Sequence, residues 1–225
     1  MATGAARSIR QLGLKGVAHV AARRFWSTSR ALGLRVDVEH LPPPRTAKVP
    51  VAMKAIDPAS FGGFESELQR TGEADSIEVL ARLRFCRGGV TTLYVAEDEH
   101  GEPIYAQWLV RRADQDRLRA VTGALFPPLA ESEALVEGAY TFLNFRGCGA
   151  MADGMHQLLR AARDGGAESA ITYVTDDNVP SLRGCAKAGF ELDHVRLTTR
   201  RLGVRKSVRA PLDGSARRAW AEALA

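Results

Sequence analysis

Cysteine is scarce in this sequence: Cys86, Cys148 and Cys185 are the only three in 225 residues. An odd, scattered set builds neither a disulfide framework nor a metal site, and it suits a reducing cytoplasm. No apolar run approaches the ~20 residues that a membrane-spanning helix needs, so a soluble or at most membrane-peripheral protein is expected. Acidic residues are missing from residues 1–36, where Arg7, Arg10, Lys15, Arg23, Arg24, Arg30 and Arg35 stand unopposed. Those seven leave 24 of the 31 Lys and Arg to face all 26 Asp and Glu beyond residue 36, so the body is mildly acidic. A nucleic-acid binder needs its basic residues on the folded body, and no nucleic-acid partner is expected here.

What is present reads as an ordinary globular chain: 45% hydrophobic and 25% charged residues, enough for one domain with an appendage. Residues 7–33 carry apolar side chains at helical steps (Ile9, Leu12, Val17, Val20) with arginines between them. Four readings stay open for this arm: a helix packed on the domain, a disordered basic arm, a transit peptide, or a helix lying on an anionic membrane. Pro42, Pro43, Pro44 and Pro50 then make a stiff connector. The expected organisation is an arm and connector over 1–47, a catalytic domain over 48–212 and a tail over 213–225.

A short strand-like run is expected at 34–39 before the connector, and within the domain strands are expected at 49–55, 90–96, 104–110, 135–142, 170–174, 190–199 and 204–210. The second hairpin pair is joined by the turn sequence Asp98-Glu99-His100-Gly101. Helices are expected from an Asp57 N-cap to Arg70, over 74–85, over 150–163 up to the Gly165-Gly166 stop, and over 179–188. The fold class is therefore α/β (α+β), a mixed, mostly antiparallel sheet flanked by helices.

The informative stretch is Tyr140-Thr-Phe-Leu-Asn-Phe-Arg146-Gly-Cys-Gly149-Ala-Met151, a strand, a glycine turn and a helix start. Glycine lets the backbone curl close to a ligand, and the first helix amides have no intrahelical acceptor, so this is a phosphate cradle. It lacks both the Lys-Ser/Thr of a nucleotide P-loop and the third glycine of a dinucleotide fingerprint. After the next strand comes Asp177-Asn178-Val-Pro-Ser181-Leu-Arg-Gly-Cys185-Ala-Lys187-Ala-Gly189-Phe190.

Together the two stretches resemble the GNAT acetyltransferase superfamily. Its coenzyme loop is matched at Arg146 and Gly149 and imperfectly at Met151, and its later signature at Asn178, Ser181, Lys187, Gly189 and Phe190. Cys185 stands where the family usually has a tyrosine. By element order the resemblance covers residues 48–210, by motif 137–190. It implies an acyl-CoA-dependent N-acyltransferase, with acetyl-CoA as the default donor and an amine of a small molecule or sugar as acceptor. A long-chain or carrier-protein donor used at a membrane surface and a non-catalytic acyl-CoA-binding module are the alternatives. The strand edge at Ala139, Tyr140 and Thr141 should then pair with pantetheine. Amides over Arg146, Gly147, Cys148, Gly149, Ala150 and Met151 should hold the pyrophosphate, and Asn178 and Ser181 should touch the pantetheine arm. A homodimer through the last strands is compatible with this fold.

Direct acyl transfer needs a base for the amine proton and a donor for the carbonyl oxygen. Glu137 shares side-chain parity with Ala139 and Thr141 and is the base candidate, the alternative being a solvated strand-end glutamate. Asp176 and Asp177 are runners-up, and an N-cap role suits Asp177 better. Cys185 is the acid candidate, against a plain buried cysteine; Tyr140 and Tyr173 are substitutes. A cysteine nucleophile would need His156 or His194 beside it, which nothing in the sequence arranges. Gln107, Trp108 and Phe126 are expected near the acceptor, or simply in the core. No metal site is expected.

Overall fold

The computed structural model describes residues 26–90, 92–202 and 204–225, so the arm expected over residues 7–25 lies outside them. Eight strands form one sheet: β1 (Trp26–Asp37), β2 (Lys54–Ile56), β3 (Leu93–Glu97), β4 (Pro103–Val110), β5 (Glu133–Thr141), β6 (Ser169–Val174), β7 (Glu191–Arg201) and β8 (Val204–Ala210). Among the described residues six α-helices accompany them: α1 (Gly63–Arg70), α2 (Glu73–Arg87), α3 (Gln115–Thr122), α4 (Ala150–Asp164), α5 (Val179–Lys187) and α6 (Gly214–Leu224). The sheet order is β2-β3-β4-β5-β6-β1-β7-β8, antiparallel throughout except for the β5–β6 pair.

The central strand β4 is buried from Ile104 to Val110, on both faces. A strand covered on both sides reads as a continuous apolar run rather than an alternation. On one face, Met155, Leu158, Leu159 and Ala162 of α4 form an apolar stripe at helical spacing, joined by α5 and α6. On the other, Phe64 of α1, Val79 and Leu83 of α2 and Leu118 of α3 pack around Trp108. The Trp108 indole satisfies its N–H on the Val90 carbonyl at 3.1 Å and stacks on Phe64 with centroids 5.9 Å apart.

Strand β1 is the main departure from expectation. Residues 26–33 were expected to be helical and instead run antiparallel to β7, from Trp26 opposite Arg201 to Gly33 opposite His194. The strand continues along β6, so the sheet extends back past the boundary expected near residue 48. Leu32, Leu34 and Val36 enter the α4 face of the core. Gly33 is required there because a Cβ would stand 2.4 Å from the His194 ring. The strand is also stapled polarly. Arg35 donates to Ser169 Oγ at 2.8 Å and to the buried Glu133 carboxylate, which also accepts from Arg209 at 2.6 Å.

Smaller differences have local causes. The strand expected over 49–55 shrinks to β2, because Val51 and Met53 give their backbone groups to Gln157 instead (2.7 and 3.0 Å). Asp57 caps a short 3-10 turn at Pro58–Ser60 rather than the full helix. The expected tail contains α6, capped by Asp213 and buried through Ala216 and Ala223.

Candidate active site

Among the described residues the β5–β6 pair is the only parallel one, and it holds only over Glu133–Leu135 opposite Ser169–Ile171. Beyond that point β5 stays with β4 and β6 with β1, so the two strands separate. The opening is a cleft of about 590 Å³, headed by the N-termini of α4 and α5. Two helix N-termini and a strand edge with no neighbour offer donors and acceptors to a ligand with phosphates and amides.

Most of the expected coenzyme residues line this cleft: Ala139, Tyr140 and Thr141 from β5, Arg146, Gly147, Gly149, Ala150 and Met151 from the turn and α4, and Asn178 and Ser181 from α5. The turn bends through Gly147 (φ +77°) and Gly149 (φ +88°), a region that residues with a Cβ rarely enter. It is braced from behind by the connector. Lys48 N–H donates to the Cys148 carbonyl at 2.7 Å, and Ala47 N–H to Asp153 at 3.2 Å. Cys148 does not line the cleft; its backbone belongs to that brace. Asn178, not Asp177, is the N-cap of α5, accepting from Ser181 N–H at 3.2 Å. The bulky Met151 is accommodated because Gly184 faces it: a Cβ there would lie 2.5 Å from the Met151 sulfur.

At the start of the split, β5 carries a bulge. Its register to β4 jumps between Ala106/Tyr140 and Trp108/Glu137, and Gly138 adopts φ +69° with no room for a Cβ beside Trp108. A bulge frees backbone groups from the ladder and re-aims neighbouring side chains. Arg82 of α2 takes both freed carbonyls, Gly138 O at 3.3 Å and Ala139 O at 2.8 Å. The Ala139 carbonyl expected to meet pantetheine is thus already bonded within the chain. Glu137 turns its Oε2 into a buried position where it has no hydrogen-bond partner. Burial holds this carboxyl's pKa above the usual range, with the Arg196 and Arg82 charges and the Gly138 amide pulling it partly back.

The acid candidates fare differently. Cys185 is fully buried in the α4–α5 core, and burial, with Glu137 adding to it, pushes its thiol up to about 12. It is the buried cysteine of the two readings and does not line the cleft. Tyr140 turns its hydroxyl to Glu67 at 3.1 Å, and burial raises it to about 12. His156 bonds the Pro42 carbonyl at 2.9 Å, while His194 sits between Asp193 (2.7 Å) and Tyr173 (3.3 Å). Of the acceptor-side residues, Trp108 is core, and Phe126 packs on Tyr173 with centroids 5.9 Å apart. Gln107 is fully buried, its Oε1 accepting from Tyr105 at 2.8 Å and its Nε2 without a partner.

Three contributors were not foreseen: Tyr105, which lines the cleft from β4, and Arg82 and Arg196 beside Glu137. Tyr105 was legible as part of a strand, but the continuous apolar run of β4 hides which of its residues meets the cleft. No local signal separates Arg82 or Arg196 from the chain's other arginines.

No family model and no curated protein matches this sequence. Solved structures do. A GCN5-related glucosamine N-acetyltransferase region of a fungal multi-domain β-N-acetylglucosaminidase superposes with a TM-score of 0.56 at 13% identity. That match covers 86% of this chain and 22% of the fungal one. A GNAT-family acetyltransferase from Colwellia psychrerythraea superposes with a TM-score of 0.52 at 14% identity, covering 83% of this chain and 62% of its own. The chain therefore spans less than two thirds of either. These likenesses, with the sheet order and the split β5–β6 pair, define the class: the chain has the fold of the GCN5-related N-acetyltransferases.

Proposed function

We propose that this chain is an acyl-CoA-dependent N-acyltransferase, with acetyl-CoA as its donor and a small-molecule amine as its acceptor. The observation that carries this reading is the cleft between β5 and β6, where a twice-glycine turn, two helix N-termini and a strand edge converge. Acyl-CoA would supply the activated thioester. Amides of Gly149, Ala150 and Met151 at the head of α4 would hold the pyrophosphate, with Arg146 beside them. Asn178 and Ser181 would steady the pantetheine arm.

The rest is chemistry of the chain itself. The Ala139 N–H, freed from the β4 ladder by the bulge, is assigned to the thioester oxygen. Glu137 takes the proton of the attacking amine, its buried carboxyl held above the usual glutamate range. Tyr105 reaches the cleft wall, but its hydroxyl is bonded to Gln107 and burial holds its pKa well above the usual tyrosine range, so water in the cleft is assigned the proton that goes to the departing thiolate.

Thermal shift against CoA, acetyl-CoA and palmitoyl-CoA, followed by free-thiol release over an amine panel, tests the reading. A ligand bound only by the folded state raises its melting temperature, so stabilisation by CoA and acetyl-CoA is expected. No shift with any of the three sinks the coenzyme assignment. A shift with palmitoyl-CoA alone moves the donor to long chains, and binding without thiol release moves the chain to a non-catalytic module.

A further inference from the structure

Beside Glu137 lies a charged group of opposite sign that no residue of the sheet answers. Leu135 and Ile171 are the last partners of β5 and β6. Glu137 and Tyr173 each follow by two residues, so they flank the opening on the face covered by α1, α2 and α3. From β7, Arg196 reaches over this spot. Its guanidinium carbon lies 4.5 Å from the Tyr173 ring centroid and 5.2 Å from that of Phe126. Two aromatic faces brace the cation, and its in-plane Nε is buried without a hydrogen-bond partner.

The neighbouring cations are engaged. Arg82 is spent on the Gly138 and Ala139 carbonyls, and Arg209 on Glu133. Arg196 Nε is buried with no hydrogen-bond partner, and so is Glu137 Oε2, so neither atom bonds the other. Burying one unpaired charged group is costly, and two of opposite sign side by side form a receptor for a molecule bearing both complementary charges. The surroundings favour the anion further: Arg84, Arg196 and Arg200 crowd around Arg205 on the same flank. A purely cationic amine, such as a polyamine, would set its second charge against that cluster.

We infer that the acceptor is an amine that also carries an anionic group, a carboxylate or a phosphate, held by Arg196 while its nitrogen faces Glu137. This rests on the acyltransferase reading above. An α- or β-amino acid is the simplest member of the class, and a guanidinium edge takes either anion through paired N–H bonds.

The test begins with calorimetric binding of CoA to the wild type and to Arg196→Gln. Equal affinities are expected, and a wild type that binds no CoA fails the acyltransferase reading, not this one. Thiol release from acetyl-CoA is then measured with matched acceptors: the twenty amino acids, their carboxamides, their decarboxylated amines, phosphoethanolamine, glucosamine and spermidine. At least one anionic amine should exceed its neutral counterpart in kcat/KM by roughly 10- to 100-fold, the range of one charge-assisted hydrogen bond. The amino-acid and phosphoethanolamine arms separate carboxylate from phosphate. Arg196→Gln should collapse that ratio through KM, and Arg196→Lys should restore part of it, which a merely structural arginine would not do. Neutral amines served as well as anionic ones, a ratio unmoved in Arg196→Gln, or no anionic amine used by a chain that binds CoA each overturn the inference. The wild-type panel decides the matter even if the glutamine variant does not fold.

Discussion

A carboxylate surrounded by apolar side chains keeps its proton to higher pH than one in water, and Glu137 is placed in that way. As a base it works only when ionised, so the acid limb of the pH–rate profile should lie above the ordinary glutamate value of about 4.3. Glu137→Gln should remove that limb and lower kcat by about 10²- to 10⁴-fold, measured by thiol release at saturating donor. Stability should move the other way. A carboxyl whose folded pKa is raised stabilises fully below its unfolded pKa and loses that contribution as pH rises through the folded one. Above its folded pKa the ionised side chain therefore costs stability, and at such pH the glutamine variant should melt higher than the wild type. Cys185→Ala should do the opposite, keeping turnover while losing about 1 kcal/mol in a urea titration. Glu137 was named from strand parity with Ala139 and Thr141; the bulge at Gly138 interrupts that parity, and the carboxyl is buried without lining the cleft. The inertness of Cys185 was not legible, because its position in a motif says nothing about how deeply α5 buries it.

At the scale of elements, the helices and hairpins with a local signal were legible: α4 from its apolar stripe and glycine stop, the β3–β4 hairpin from its turn, and α5 from its Asn-x-x-Ser start. Helix α3 went unread because only Leu118 and Thr122 of its eight residues are buried, too few to print a periodicity. The facing of α4 and α5 was also invisible, since it depends on one residue from each. That contact gives a sharp expectation. Gly184→Val should push Met151 aside and weaken CoA binding measurably by calorimetry, whereas adding Met151→Ala should recover part of the loss. A double-mutant cycle with no coupling would show that the two helices adjust independently.

Across the whole molecule, the sheet is tied together by side chains that sit far apart in sequence. Glu133 joins Arg35 of β1 to Arg209 of β8. Glu133→Gln would leave Arg209 without its carboxylate and Arg35 with only Asp193, and because each guanidinium is about a third exposed the expected loss is about 3 kcal/mol at most, read from the urea midpoint. A chain beginning at Lys48, the start the sequence suggested, should lack β1 and show no cooperative melt by circular dichroism. The sequence concealed this because arginines, serines and a glycine interrupt β1, and its partners β6 and β7 are remote. Only the closed sheet shows that its alternate residues face a core.

The interior position of β1 also bears on how the protein is made. The strand leaves the ribosome before every other strand described here, yet its partners begin only at Ser169 and Glu191. Contacts across more than about 100 residues close slowly, because loop entropy is lost before they form. Until β6 emerges β1 has two open edges, and one stays open until β7 follows, the condition in which nascent chains aggregate or need a chaperone. Among the described strands the first synthesised is thus among the last to be locked in, and slow or truncated translation should be hard on this fold.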